Sequence, residues 1–97
     1  MSAYVIVEIE THDAAQMAEY RDLARPIVEA HGGRYIARGG TTVTLEGGWD
    51  PQRIVILEFP TVEQAKEWWE SDDYAPVKAM RHRAGTSRML IVEGFGG

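Results

Sequence analysis

The segment RIVILEF, Arg53 to Phe59, constrains the fold most, because neither face of such a strand is polar. Side chains on a strand alternate between the two faces of its sheet. One face carries Val55, Leu57 and Phe59, and the other carries Ile54, Ile56 and Glu58. The strand therefore needs apolar cover on both sides, and the carboxylate of Glu58 needs an explanation.

Alternation of apolar residues predicts further strands near both ends of the chain, at residues 3–10 and 87–93. Two short β-rich pieces, RYIARGG and TVTLEGG, lie between the first helix and Arg53. Their glycine pairs indicate a hairpin or a bent second strand.

Helical spacing predicts a first helix that is capped by Asp13, ends at His31 and stops at Gly32. Pro26 inside it predicts a kink or a split into two shorter helices. Thr61 begins another helix, because Gln64 three residues later completes a capping box. One more short helix is indicated by Tyr74, Val77, Met80 and Ala84.

The order strand, helix, strand, strand, helix, strand is typical of the ferredoxin-like βαββαβ fold. This α+β fold has a four-stranded antiparallel sheet with its helices on one face. A chain of 97 residues has the size of one domain, so we expect residues 1–97 to form a single ferredoxin-like domain.

The strand parities divide the sheet residues into two sets. The set expected to face the helices is Val5, Val7, Ile9, Val55, Leu57, Phe59, Leu90 and Val92. The second set is Tyr4, Ile6, Ile54, Ile56, Met89 and Ile91, with Glu8, Glu58 and Glu93. No further helix is predicted to cover the second set, and large apolar side chains left in water mark an interaction patch. We therefore predict a homodimer through the sheet faces, with a small-molecule pocket at that face.

Glu8 and Glu58 are candidate catalytic residues. Taking the first and third strands as parallel neighbours places these two glutamates side by side, with Glu93 near the opposite end of the sheet. Two carboxylates close together in a poorly hydrated site raise one pKa, which produces a general acid or base near neutral pH. The alternative is that each glutamate pairs with Arg38, Arg53 or Arg88 across the dimer.

His31 is a further candidate for acid–base chemistry, since it ends the first helix on its apolar stripe beside two glycines. A histidine also suits the negative end of a helix, and this structural role stays open. Arg38, beside Gly39, is a candidate for binding an anionic group of a substrate. The residues predicted to shape the pocket are Tyr4, Ile6, Ile56 and Met89.

Composition disfavours several other functions. The net charge of −5 and the pI near 5.1 disfavour nucleic-acid binding. The chain has no cysteine, its histidines lack metal-ligand spacing, and its glycine pairs match no nucleotide-binding motif, so we expect no metal and no cofactor. No apolar run approaches the roughly 18 residues of a membrane span, and the N-terminus reads as a strand, so we expect no membrane contact and a cytoplasmic location.

Several strings of the sequence resemble a known family over nearly the full length. They are AHGGRYIARGG, LEGGWDPQRIVILEFP, AKEWWESDDYAPVKAMR and RMLIVEG. They resemble the domain-of-unknown-function family thirteen-thirty, which belongs to the dimeric α+β barrel superfamily of ferredoxin-like proteins. The resemblance implies the same fold and the same kind of dimer, but no activity, and it assigns no catalytic residue.

Two hypotheses of function follow. In the first, the dimer binds a small apolar or aromatic acid-type molecule, and any reaction is a cofactor-free proton transfer or oxygenation with His31, Glu58 and Glu8 as acid–base groups. In the second, the protein is a non-catalytic binding or stress-related dimer whose glutamates only stabilise the interface. The sequence leaves open whether the protein is an enzyme.

Overall fold

A computed structural model describes residues 1–96, which form a four-stranded antiparallel sheet with three helices on one face. The elements in chain order are β1 (Ala3–Thr11), α1 (Ala14–Ala30), β2 (Arg34–Arg38), β3 (Arg53–Phe59), α2 (Val62–Glu70), α3 (Ala75–Ala84) and β4 (Gly85–Glu93). The strands lie in the order β2-β3-β1-β4. This is the ferredoxin-like βαββαβ arrangement that the sequence predicts. Within the described residues, no helix is long and apolar enough to cross a membrane.

Helix α1 is one continuous element, so the predicted split at Pro26 is wrong. The Asp13 side chain caps its first turn by accepting a hydrogen bond from the Gln16 backbone N–H at 3.0 Å. Ala24 and Val28 are both fully buried, so the helix packs against the core on either side of the proline. This packing compensates for the hydrogen bond that proline removes.

The glycine pair after α1 has two separate roles. Gly32 has a φ of +86° and stops the helix, with its N–H donating to the Glu29 carbonyl at 3.0 Å. Gly33 lies against the core, where an added Cβ would be 2.6 Å from the Phe59 ring. The string HGG is therefore explained by a helix stop followed by a close approach of backbone to ring.

Residues 39–52 connect β2 to β3 without a helix or strand. The expected β piece TVTLEGG is therefore wrong, and the second strand is confined to Arg34–Arg38. Val43 and Leu45 in this connection are 79% and 90% exposed.

The core lies between the sheet and the helices and is centred on aromatic rings. The Trp68 ring lies 5.4 Å from the Phe59 ring and 4.5 Å from the Tyr74 ring, measured between centroids. Trp68 is buried whereas Trp69 is 39% exposed, which confirms that the two neighbours on α2 face different ways.

The pairing of β4 with β1 reverses the predicted faces of β4. Met89 lies opposite Val7, and Met89 and Ile91 pack partly buried against the core. Leu90 and Val92 lie instead on the sheet face away from the helices, here called the outer face, and are 56% and 44% exposed. The alternation of side chains could not show which face of β4 meets the helices, because both alternate sets of the strand are apolar.

Strands β1 and β3 pair antiparallel, so the assumption that they are parallel is wrong. β3 lies between β1 and β2 and is antiparallel to both. Glu58 lies opposite Tyr4 and Glu8 lies opposite Ile54, at opposite ends of the outer face. Glu93 lies at the Glu58 end of the sheet, not at the far end as expected. The predicted pair of adjacent carboxylates does not exist in this fold.

The close approach at Gly33 can be tested by adding one methyl group. In Gly33→Ala the new Cβ would be 2.6 Å from the Phe59 ring and 2.8 Å from Val28 Cγ1. We expect the free energy of unfolding, measured in urea, to fall by about 1–3 kcal/mol because a packed core must shift. Gly40→Ala is the matched control, since nothing lies within 4 Å of its Cβ position. Equal losses in the two variants would contradict this account.

Candidate functional site

The structure divides the predicted site residues among three places. Tyr4, Ile6 and Ile56 lie on the outer face, with Glu58 and Glu8 towards its two ends. Arg38 and Met89 lie on the helix side of the sheet. His31 lies at the end of α1. These residues therefore do not form one site, and their catalytic and binding roles stay predictions.

Glu8 is paired within its own chain. Arg88 Nε donates to Glu8 Oε1 at 2.9 Å, and Trp49 Nε1 donates to Glu8 Oε2 at 3.0 Å. The hydrogen bond from Arg88, and then the one from Trp49, hold the pKa of Glu8 below its ordinary value. This carboxylate is ionised at neutral pH.

Glu58 has the same kind of environment at the other end of the outer face. Arg34 Nε donates to Glu58 Oε1 at 2.7 Å, and this bond is the largest cause that lowers the pKa of Glu58. The expected rise of one glutamate pKa is thus wrong, because the two carboxylates are apart and each has its own arginine. The alternative that the glutamates pair with arginines is the better description, although the bonds form within one chain.

His31 is the C-cap of α1, the position that the alternative, structural role requires. Its Nε2 lies 3.2 Å from both carboxylate oxygens of Asp73, in the turn between α2 and α3. Hydrogen bonds from Ser71 and then from His31 lower the pKa of Asp73. The contact ties the end of α1 to the α2–α3 turn.

The outer face carries a shallow cleft of about 260 Å³. Its lining residues are Ile6, Glu8, Trp49, Ile54, Arg88, Met89 and Leu90. The charged groups of this cleft already satisfy one another, since Arg88 and Trp49 both donate to Glu8. A ligand placed here would have to compete with these bonds.

A second cavity lies between the sheet and the helices and is here called the helix-side cavity. Its lining residues are Val7, Ile9, Met17, Tyr20, Arg21, Tyr35, Arg38, Arg53, Val55, Leu57, Trp68 and Met89. Its volume is about 30 Å³, which is room for about one water molecule. Apolar side chains form most of the wall, and arginines and tyrosines supply its polar groups.

The inner wall of the helix-side cavity contains buried polar groups. The hydroxyl group of Tyr20, a lining residue, lies 2.7 Å from the hydroxyl group of Tyr74 deeper in the core, and burial is the main cause that raises the pKa of Tyr20. Trp68 is 1% exposed, and its Nε1–H has no hydrogen-bond partner among the described residues. A buried donor without an acceptor costs free energy, so this group marks a place where an acceptor atom would bind.

Three arginines from three elements meet at the mouth of the helix-side cavity. Arg38 Nη2 donates to the Arg21 backbone carbonyl at 3.3 Å, and the Arg38 guanidinium lies 4.8 Å from the centre of the Tyr35 ring. Burial, and then the charges of Arg21 and Arg38, lower the pKa of Arg53. The mouth is therefore a concentrated positive charge.

Of these cavity residues, Arg38 and Met89 are ligand contacts predicted from the sequence, whereas Arg21, Arg53 and Trp68 were not predicted. Arg53 carried a usable signal, because it shares the strand parity of Val55 and so lies on the helix side. A charged residue on the apolar face that carries Val55 is as unusual as Glu58 on the opposite face of the same strand. Arg21 and Trp68 carried no such signal, since their convergence depends on the tertiary fold.

Comparison with known families identifies the chain. Residues 2–95 match the family described as Domain of unknown function (DUF1330). The chain belongs to this family. Nearly the whole sequence is covered, so the resemblance expected from its glycine-rich strings is confirmed.

Solved structures with the same fold include proteins from several organisms. A protein of unknown function from Rhodopseudomonas palustris is 18% identical, with a TM-score of 0.78 over 99% of this chain and 84% of that chain. SnoaB from Streptomyces nogalater, described as a cofactor-independent oxygenase, is 11% identical, with a TM-score of 0.72 over 99% and 95%. A dimeric ferredoxin-like protein of unknown function from Jannaschia sp. is 12% identical, with a TM-score of 0.66 over 97% and 100%. At these identities the likeness establishes the ferredoxin-like fold alone.

Comparison of this DUF1330 sequence with curated proteins gives no match. In the part of the chain that the structure describes, no three His, Asp or Glu side chains lie together as a metal site would require.

The two outer-face glutamates predict a specific pH dependence of stability. Their pKa values in the folded state lie below the ordinary value of 4.5. Their ion pairs therefore contribute stability above that value, and the contribution is lost as the pH falls through the folded pKa. We expect the double variant Glu8→Gln/Glu58→Gln to be less stable than the natural chain at about pH 7 and equally stable at about pH 2.

Urea unfolding at fixed protein concentration measures this difference, since any self-association also changes apparent stability. A stability gap between the two proteins that stays constant across the acid range would contradict the assigned ion pairs.

Proposed function

We propose that the protein is a homodimeric binding protein for a small apolar or aromatic molecule, which each subunit holds in its helix-side cavity. The single observation that carries this proposal is the buried Trp68 Nε1–H, a donor without a partner in the wall of a largely apolar cavity. A binding site of this kind combines an apolar wall with a few polar groups that orient the ligand.

The cavity must widen to admit such a ligand, because its present volume is about 30 Å³. Two of its wall residues, Met17 and Met89, have unbranched and adaptable side chains. Arg38 at the mouth is exposed and can swing outward. Movement of these side chains would open the cavity without disturbing the sheet.

The exposed apolar surface supports the homodimer. Leu90 and Val92 on the outer face, together with Val43, Leu45 and Trp49 of the β2–β3 connection, are each more than 40% exposed. Apolar side chains in these numbers favour burial against another surface. The Jannaschia protein of the same fold is described as dimeric. A second copy packed on the outer face would cover these side chains about a two-fold axis.

Cofactor-free oxygenation is the second candidate function, because SnoaB has this fold and is described as a cofactor-independent oxygenase. The positive mouth of the helix-side cavity would favour an anionic form of an electron-rich substrate. The lining residues include no carboxylate and no histidine that could accept the substrate proton. Binding is therefore the first candidate, and oxygen uptake in the presence of a bound ligand would establish the second.

Methionine methyl groups offer a direct test of the cavity. The chain has four methionines, of which Met17 and Met89 line the cavity whereas Met1 and Met80 do not. With ¹³C-labelled methyl groups, we expect benzamide to shift the NMR signals of Met17 and Met89, because the ligand must displace or contact both. Met1 and Met80 are the internal controls. A titration that leaves all four signals in place, shifts all four equally, or shifts Met89 without Met17 would contradict the proposal, because Met89 also borders the outer-face cleft.

The dimer is tested by placing a charge on the outer face. We expect the natural chain to sediment at twice its mass of 10.9 kDa. We expect Leu90→Glu to sediment as a folded monomer, because the carboxylate would be buried without a partner in the interface. Leu23→Glu on α1 is the matched control, since Leu23 is also an exposed leucine and lies away from the outer face. Loss of the dimer in both variants, or in neither, would contradict the assigned interface.

A further inference from the structure

Three guanidinium groups stand together at the mouth of the helix-side cavity although like charges repel. They belong to Arg21 on α1, Arg38 at the end of β2 and Arg53 at the start of β3. Within residues 1–96, the ion pairs shorter than 4.0 Å that involve arginine use Arg25, Arg34 and Arg88 instead. None of the three mouth arginines is neutralised by a described carboxylate.

This arrangement is costly for a folded protein without a ligand. Arg53 is partly buried, and its pKa is lowered by burial and by the two neighbouring arginines. A nearby acid would offset the repulsion among these cations, and the chain has 15 acidic residues against 10 basic ones. Because acidic residues outnumber basic ones, a shortage of carboxylates in the chain does not explain why these arginines have no acidic partner in the described part of the chain.

The backbone beside the cluster is shaped to receive Arg53. Gly39 has a φ of +73°, and its N–H donates to the Ile54 carbonyl at 2.9 Å. A Cβ on Gly39 would lie within 2.4 Å of the guanidinium carbon of Arg53. The positive φ favours glycine at this position, and the absence of a side chain leaves room for the Arg53 guanidinium to lie against the backbone.

The depth of the cavity adds a second and independent requirement. Trp68, which also lines this cavity, has an N–H donor without an acceptor among the described residues. The walls between these polar groups include Met17, Leu57 and Met89. The cavity thus has positive charge at its mouth, apolar side chains along its walls, and the Trp68 N–H as a hydrogen-bond donor.

We propose that the ligand of the helix-side cavity is an aromatic or short apolar carboxylate, whose anionic group is bound by Arg21, Arg38 and Arg53 at the mouth. This inference rests on the proposed binding function and adds the chemical class of the ligand. A planar guanidinium binds a carboxylate through paired hydrogen bonds, which suits arginine better than lysine. The apolar body of the ligand points inward, where an acceptor atom on it would satisfy Trp68.

Benzoate and benzamide form a matched pair of probes, because they share shape and size and differ in charge. We expect benzoate to bind the natural chain at least about tenfold more tightly than benzamide, as a charge-assisted hydrogen bond requires. Affinities are measured from the methionine methyl signals of Met17 and Met89. Raising the ionic strength from about 0.01 M to about 1 M should weaken benzoate and leave benzamide unchanged.

Substitutions of the mouth arginines test whether they cause the preference for benzoate. We expect Arg38→Gln and Arg53→Gln each to weaken benzoate by about tenfold and to change benzamide little. Arg83→Gln, on the exposed side of α3, is the matched control and should change neither. Arg38 is exposed, so its variant keeps the test valid even if substitution of the partly buried Arg53 impairs folding.

The outcomes separate the two proposals. Equal affinities for benzoate and benzamide, unaffected by the arginine variants, would overturn the anionic ligand while leaving a binding cavity in place. Benzoate binding that leaves the Met17 signal in place would put the ligand outside the helix-side cavity and overturn both proposals, because Met89 also borders the outer-face cleft. Failure of both probes to bind would likewise overturn both.

Discussion

The pairing of β4 with β1 is the constraint on which the rest of the structure depends. It sets Met89 opposite Val7 and Leu90 opposite Ile6, and so decides which side chains of the edge strand meet the helices. A slip of one residue would exchange the two sets completely, because side chains alternate with a period of two. With the observed register, Met89 joins the wall of the helix-side cavity and Leu90 becomes part of the exposed apolar outer face.

The two faces of the sheet then differ in their electrostatics. On the outer face, Glu8 and Glu58 each receive hydrogen bonds from an arginine, so their charges are compensated within the chain. On the helix side, the arginines at the mouth of the cavity have no such partner among the described residues. Uncompensated charge is therefore available to a ligand on the helix side, and uncompensated apolar surface is available to a second copy on the outer face.

Sequence patterns predicted the helices and strands better than the pairing and the facing of the strands. The caps at Asp13 and Thr61 and the stop at Gly32 were predictable, because they depend on residues within one turn. The pairing of Glu8 with Glu58 was wrong because it required the relative direction of two strands, which no local pattern records. The faces of β4 were wrong because both of its sets are apolar. The arginine cluster could not be foreseen, since it joins residues from three elements.

We propose that the two faces of the sheet have separate tasks, with the ligand on the helix side and the second subunit on the outer face. A crystal structure of the protein grown with benzoate would show both contacts at once. We expect the carboxylate at Arg38 and Arg53, the ring towards Trp68, and a second copy packed across Leu90. Benzoate bound between two facing sheets, beside Trp49 and Glu8, would contradict it.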